Sequence, residues 1–178
     1  SIPGIDRGLG AGDMIKVGRR GSLNATLTVT GTQGHVAYPN LADNPVPGLV
    51  RMLAEILNEP LDEGTEHFQA SRIEVTTIDV GNPAANVIPA RATAAFNVRF
   101  NDLHTSRSIV AWLRQRFDRT NLDYGLEVQI TGEAFLTAPG PLSGLIAEAV
   151  RTRLGVEPEL STTGGTSDAR FIKDHVPV

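Results

Sequence analysis

Four histidines, His35, His67, His104 and His175, are the chain's only imidazoles, and it has no cysteine. None of the four falls in H-E-x-x-H or another local pair that would grip a metal. His67 and His104 sit in or beside polar stretches and read as surface residues, the usual fate of an isolated histidine. His175 stands near the C-terminal end and says little. His35 is different, because it lies in Gly34-His35-Val36-Ala37-Tyr38-Pro39, between a glycine turn and a Tyr-Pro pair. It could serve a substrate there, or it could simply be structural. Nucleophilic catalysis has no support, since no G-x-S-x-G elbow is present. Gly164-Gly165-Thr166-Ser167-Asp168 could cradle an anion with backbone N–H groups ahead of a helix. A turn closed by a Ser or Asp N-cap fits it equally well. No lysine follows those glycines, so it is not a nucleotide-binding P-loop. Arg19-Arg20 reads as a solvated basic pair. Arg99 is harder to dismiss, because a charge in the middle of a sheet face calls for a partner or a ligand.

The elements that must hold these groups can be read from apolar periodicity. From Ser22, Leu23, Ala25, Leu27 and Val29 share one face, and Asn24, Thr26, Thr28 and Thr30 the other, which predicts a half-buried strand. Asn44 can cap a helix that opens on Pro45, and Val46, Leu49, Val50, Leu53 and Leu57 form its expected inward stripe. Met52 and Ile56 flank that stripe and would be left over for a second copy. Pro60 ends the helix, and 61–70 reads as an acidic loop. Residues 72–80 are strand-like, but Ile73 and Val75 have the opposite parity to Ile78 and Val80, which suggests a bulge or an edge strand. Residues 91–101 alternate cleanly, with Ala92, Ala94, Phe96, Val98 and Phe100 inward. Thr105 or Ser106 caps a second helix with Ile109, Trp112, Leu113 and Phe117 inward. Leu126, Val128 and Ile130 mark a fourth strand.

This order over 21–132 predicts an α+β fold. It is the ferredoxin-like βαββαβ unit, a four-stranded antiparallel sheet with two helices on one face. In that topology the strands at 72–80 and 124–131 lie on the edges. Residues 1–20 read as a leader or linker. Residues 133–178 are a separate partial segment. It starts with a helix at 139–153, with Leu142, Leu145, Ile146, Ala149 and Val150 inward, and ends in an incipient helix from Asp168.

Composition narrows the function classes. The chain has 178 residues, 40% of them hydrophobic and 20% charged, with a formal net charge of -4. That excludes a general nucleic-acid footprint. No apolar run approaches the ~20 residues of a membrane span, and the N-terminal residues lack a signal peptide's basic and apolar regions. The expected setting is the cytoplasm.

Five stretches occur together and in order: Gly12-Asp13-Met14-Ile15-Lys16, Gly18-Arg19-Arg20-Gly21-Ser22, Gly34-His35-Val36-Ala37-Tyr38-Pro39, Asn86-Val87-Ile88-Pro89-Ala90 and Gly164-Gly165-Thr166-Ser167-Asp168. Each alone is modest. In register across 12–170 they resemble the desuccinylases of the M20 metallopeptidase family. The resemblance implies a dinuclear zinc amidohydrolase, in which cobalt can replace zinc, that cleaves N-succinyl-LL-2,6-diaminopimelate to succinate and LL-2,6-diaminopimelate in lysine biosynthesis. It implies an inserted ferredoxin-like lid that forms a homodimer, and 133–178 would return the chain to the catalytic domain. Carried over residue by residue, Arg19, Ser22 and Arg99 contact the ends of a small substrate with several carboxylates, and Gly165 and Thr166 hold it from the catalytic side. His35 and Asn86 reach into the partner subunit's site, where His35 stabilises the oxyanion. Ala85 stands where some relatives have a second Asn.

The resemblance also implies metal ligands and a general-base Glu upstream of the lid, and a ligand His near the enzyme's C-terminus. A ligand Glu is expected about where Gly4 stands, and that stretch does not match. The expectation is therefore a lid-containing part of such an enzyme that binds no metal and is inactive alone. Two alternatives stay open: a free-standing ferredoxin-like dimerisation or binding module, and the lid of another M20 amidohydrolase.

Overall fold

The computed structural model describes residues 14–164 together with Phe171 and His175. Residues 1–13 of the expected leader at 1–20, Gly165, Thr166 and the start of the helix expected from Asp168 lie outside the described residues, while 14–20 hold two short strands. The fold is α+β. Its elements are β1 (Met14–Lys16), β2 (Gly18–Arg19), β3 (Gly21–Thr30), β4 (Gly34–His35), a 3-10 turn (Pro39–Leu41), α1 (Pro45–Leu57), β5 (Arg72–Asp79), β6 (Val87–Ile88), β7 (Arg91–Phe100), α2 (Ser106–Asp118), β8 (Gly125–Gly132), β9 (Phe135–Leu136), α3 (Pro141–Leu154) and β10 (Glu159–Ser161).

The main sheet has the order β5-β7-β3-β8, and every neighbouring pair is antiparallel. Its edges are therefore β5 and β8. Alternation along β3 and β7 buries Leu23, Leu27, Phe96, Val98 and Phe100 against the helices. It leaves Asn24, Thr26, Asn97 and Arg99 on the open face, and Ser22, of the same parity, is buried there. The parity change in β5 has a simple cause: the register with β7 shifts between Val75 and Thr77, so Ile73, Val75 and Ile78 all meet core-facing residues of β7. Thr76 is the extra residue, and its hydroxyl donates to the Ala95 carbonyl at 3.1 Å.

Helix α1 starts as expected, with the Asn44 side chain accepting from the Val46 N–H at 3.1 Å and Pro45 in the first turn. Its buried stripe is rotated from the expected one. Leu49, Met52, Leu53 and Ile56 are buried, whereas Val50 and Leu57 are exposed. Gly48 decides the phase: a Cβ there would stand 3.5 Å from Val29 Cγ1 and 3.1 Å from Leu122 Cδ1, so the helix approaches the sheet through its glycine. Helix α2 is closed by a reciprocal capping box, Thr105 accepting from the Ser108 N–H and Ser108 from the Thr105 N–H. Ile109, Leu113 and Phe117 are buried, and Phe117 stands edge-on to Phe96.

Two further expectations are corrected. On α3, Leu142, Leu145, Ile146 and Ala149 are exposed, and Ala147 is the buried residue. The helix rests on β1 through that small side chain, with Ile15, Val17 and Leu136 around it, and its wide apolar stripe faces away. Beneath it β1 pairs in parallel with β10.

His104 is not a free surface residue. Its Nε2 lies 3.0 Å from Asp62 Oδ2, while Asp62 Oδ1 accepts from Gly64 N at 2.8 Å, Ser71 N at 3.2 Å and Asn101 Nδ2 at 2.6 Å. Burial works against the Asp62 charge, but the hydrogen bonds from Ser71, Gly64 and Asn101 outweigh it and hold the carboxyl below the usual range. The unfolded carboxyl takes up its proton at higher pH. The stability this group contributes is therefore full above the unfolded pKa and is lost as pH falls through the folded one. Asp62→Asn should lower unfolding free energy by about 1.5–3 kcal/mol at neutral pH. In urea titrations the gap to the parent should narrow as the solution is acidified, and an unchanged gap would count against this account.

Candidate functional site

Two polar clusters stand at opposite ends of the main sheet. The first grows from the loop after β3. The Thr32–Asp43 bridge closes the loop's base, and β4 pairs with β6 so that His35 stands opposite Val87. The Val36 N–H donates to the Asn86 carbonyl at 3.0 Å, which fixes the two loops together. The Ala37 N–H donates to His35 Nδ1 at 3.1 Å. An accepting Nδ1 leaves the neutral ring's proton on Nε2. Nε2 lies 3.4 Å from the Asn86 side-chain amide. With the proton there, the amide meets it best through its carbonyl oxygen, by a half-turn of the side chain. Both side chains are exposed, so a ligand that displaces the Asn86 oxygen can take the His35 N–H. Tyr38 stands 6.0 Å from the imidazole, centroid to centroid. This cluster unites two of the expected site residues, His35 and Asn86.

The second cluster lies at the start of β3. Register places Ser22, Arg99 and Arg72 in one row across β3, β7 and β5. Arg99 Nε donates to Asn97 Oδ1 at 2.8 Å, and Asn97 Nδ2 donates to Asn24 Oδ1 at 2.7 Å and to the Leu23 carbonyl at 3.1 Å. Ser22 and Arg99 thus stand side by side. Arg19 is buried, 5% exposed, in β2 opposite Phe135. Arg20 feels Arg99: burial first, then the like charges of Arg99 and Arg72, lower its pKa from the ordinary value. Sequence reasoning missed Arg72 and Asn97. Asn97 was visible as an outward residue two positions before Arg99, but Arg72 enters only through strand register.

The two clusters cannot serve one small ligand within a single chain. Strand β3 runs from Ser22 at one cluster to Thr30 beside the other, and at about 3.4 Å per residue this is roughly 27 Å. Among the described residues no group of three or more His, Asp or Glu is placed to hold a metal ion. No helix among them is long and apolar enough to cross a membrane.

The main sheet is antiparallel, packs α1 and α2 against it, leaves β5 and β8 as edges and carries a polar cluster at each end. Residues 17–125 match the M20 family model described as a peptidase dimerisation domain, and the chain belongs to that family. It is 59% identical over 171 residues to the succinyl-diaminopimelate desuccinylase of Parvibaculum lavamentivorans, and 61% identical over 167 residues to that of Rhodospirillum centenum. Each match covers 94% of this chain and 43% of the relative, so the chain spans less than half the length of these curated relatives. Among solved structures it is similar to aminopeptidase PepT from Bacillus cereus, with a TM-score of 0.70 at 18% identity, covering 93% of this chain and 44% of that one. It is also similar to the M20 metallo-carboxypeptidase Sso-CP2 from Sulfolobus solfataricus, with a TM-score of 0.72 at 12% identity, covering 90% and 56%. At such identities the structures speak for the fold alone.

Proposed function

We propose that this chain is the lid and dimerisation portion of a zinc-dependent amidohydrolase that cleaves N-succinyl-LL-2,6-diaminopimelate to succinate and LL-2,6-diaminopimelate. The observation that carries the reading is identity of about three residues in five to curated desuccinylases along nearly the whole chain. In this reading 21–132 is a ferredoxin-like lid, 1–20 leads into it, and 133–178 returns to a catalytic domain. The enzyme is a cytoplasmic homodimer. Arg19, Ser22 and Arg99 take substrate carboxylates, for which a guanidinium offers paired donors. Gly165 and Thr166 would act from the catalytic side. His35 and Asn86 act on the partner's site, and the separation of the two clusters supports this. Attack of water on the succinyl amide carbonyl places negative charge on its oxygen, and the His35 Nε2–H is the donor that meets that charge.

The described residues do not fit a zinc site. A hydrolytic zinc needs about three protein ligands and an open position, and no cluster of that kind is present among them. The steps assigned to this chain are therefore binding, orientation and oxyanion stabilisation.

The purified 178-residue chain should hold no stoichiometric zinc by metal analysis and release no succinate. Grafted into the Rhodospirillum centenum relative over the 167 matched residues, it should support zinc-dependent desuccinylation. A folded, zinc-loaded chimera that leaves this substrate intact, or prefers another N-acyl group, sinks the reading.

A further inference from the structure

We infer that Arg20, Arg72 and Arg99 form one anion subsite on the open face of the main sheet, for a ligand bearing at least two carboxylates. The subsite rests on the amidohydrolase reading only for the identity of its natural ligand. Its geometry comes from register. Arg99 and Arg72 are directly opposed on neighbouring strands, with Ser22 next in the row. Arg20, half-buried, stands two residues before Ser22 and so has the same parity, and the like charges of Arg99 and Arg72 act on it. Asn97 occupies the Nε of Arg99, and among the described residues the terminal nitrogens of Arg99 make no hydrogen bond, which leaves them to a carboxylate. Glu74 lies one step along the same face of β5, opposite Asn97. Among the described residues, none of the three arginines forms an ion pair with it or with any other carboxylate.

Three guanidiniums against one nearby carboxylate leave the row strongly positive. Like charges held together on a partly desolvated surface repel, and an entering dianion removes that repulsion while gaining charge-assisted hydrogen bonds. A monoanion neutralises only part of it. The subsite therefore discriminates by charge number, which suits a substrate with several carboxylates and would admit the succinate product as well.

Calorimetric titration of the 178-residue chain with succinate, acetate and inorganic phosphate at constant ionic strength tests this. Succinate should bind at least about ten-fold more tightly than acetate. Arg20→Gln and Arg72→Gln should each weaken succinate by about ten-fold. Thermal unfolding of the unliganded variants should match the parent or lie slightly above it, which separates lost binding from lost folding. Succinate no tighter than acetate overturns the subsite. So do variants that bind succinate like the parent, or that change only self-association. Phosphate tighter than succinate overturns the carboxylate assignment. In the zinc-loaded chimera, Arg72→Gln should raise KM about ten-fold and spare kcat. A working chimera with KM unmoved defeats the subsite and leaves the proposed function standing. Succinate binding by the chain beside an inactive, zinc-loaded chimera does the reverse.

Discussion

Replacing His35 with alanine in the complete enzyme should lower kcat by a factor on the order of 10²–10³, the usual cost of one oxyanion donor, with little change in KM. The expectation rests on the proton's position. The Ala37 N–H occupies Nδ1, which commits the neutral ring to an Nε2–H, and pairing of β4 with β6 holds Asn86 beside that nitrogen. A donor fixed in this way acts on charge that develops only in the transition state, so its loss falls on kcat. A near-parental kcat would return His35 to a structural role. The in-trans part has its own test. His35→Ala and Arg99→Ala chains should each be weak alone, whereas a mixed dimer regains one intact site, because the sound His35 of one chain serves the sound Arg99 of the other. Mixtures no more active than the sum of their parts would put both residues in one chain's site.

What could be read from the sequence depended on how local its cause was. Strands β3 and β7 were legible because each sees core on one face and open surface on the other, so period two is written into Leu23–Val29 and Ala92–Phe100. The caps at Asn44 and Thr105 are local chemistry and were legible too. Helix α1 was placed correctly but phased wrongly. Val50 and Leu57 are as apolar as Leu49, and the deciding contact is Gly48 against Val29 and Leu122, which are distant in sequence. The wide stripe of α3 looked like a core face, yet the helix leans on β1 through Ala147. His104 gave no sign of Asp62, whose partners come from three separate stretches. The candidate site divides in the same way. His35 and Asn86 were found from motifs, while the Arg72–Arg99–Ser22 row needs two strand registers that no local pattern encodes.

The chain itself should be a dimer of twice 19.0 kDa in light scattering at micromolar concentration, joined through β5. Both β5 and β8 are edges whose outer N–H and C=O groups can accept another strand. Their flanks decide between them. Helix α1 packs over β3 and β7, on the β5 side, and it exposes Val50 at 56% and Leu57 at 52%, while Ile78 on β5 is 59% exposed. Helix α2 packs over β3 and β8 and exposes Arg107 and Arg114, seven residues apart on one face, like charges that a second copy would have to face. Ile130 of β8 is also exposed, but it has no apolar helix surface of this kind beside it. Two-fold pairing of β5 with its own copy is antiparallel. It therefore sets the His35 end of one sheet alongside the Arg99 end of the other, the juxtaposition that a shared substrate requires. Ile78→Lys or Val50→Glu should weaken the dimer by roughly 3 kcal/mol, because each change enters a two-fold interface twice and a buried aliphatic side chain contributes about 1.5 kcal/mol or more. Ile130→Lys should leave the mass unchanged. A monomeric parent chain, or dissociation by Ile130→Lys in place of Ile78→Lys, would rule out this arrangement and with it the route by which His35 reaches a partner's site.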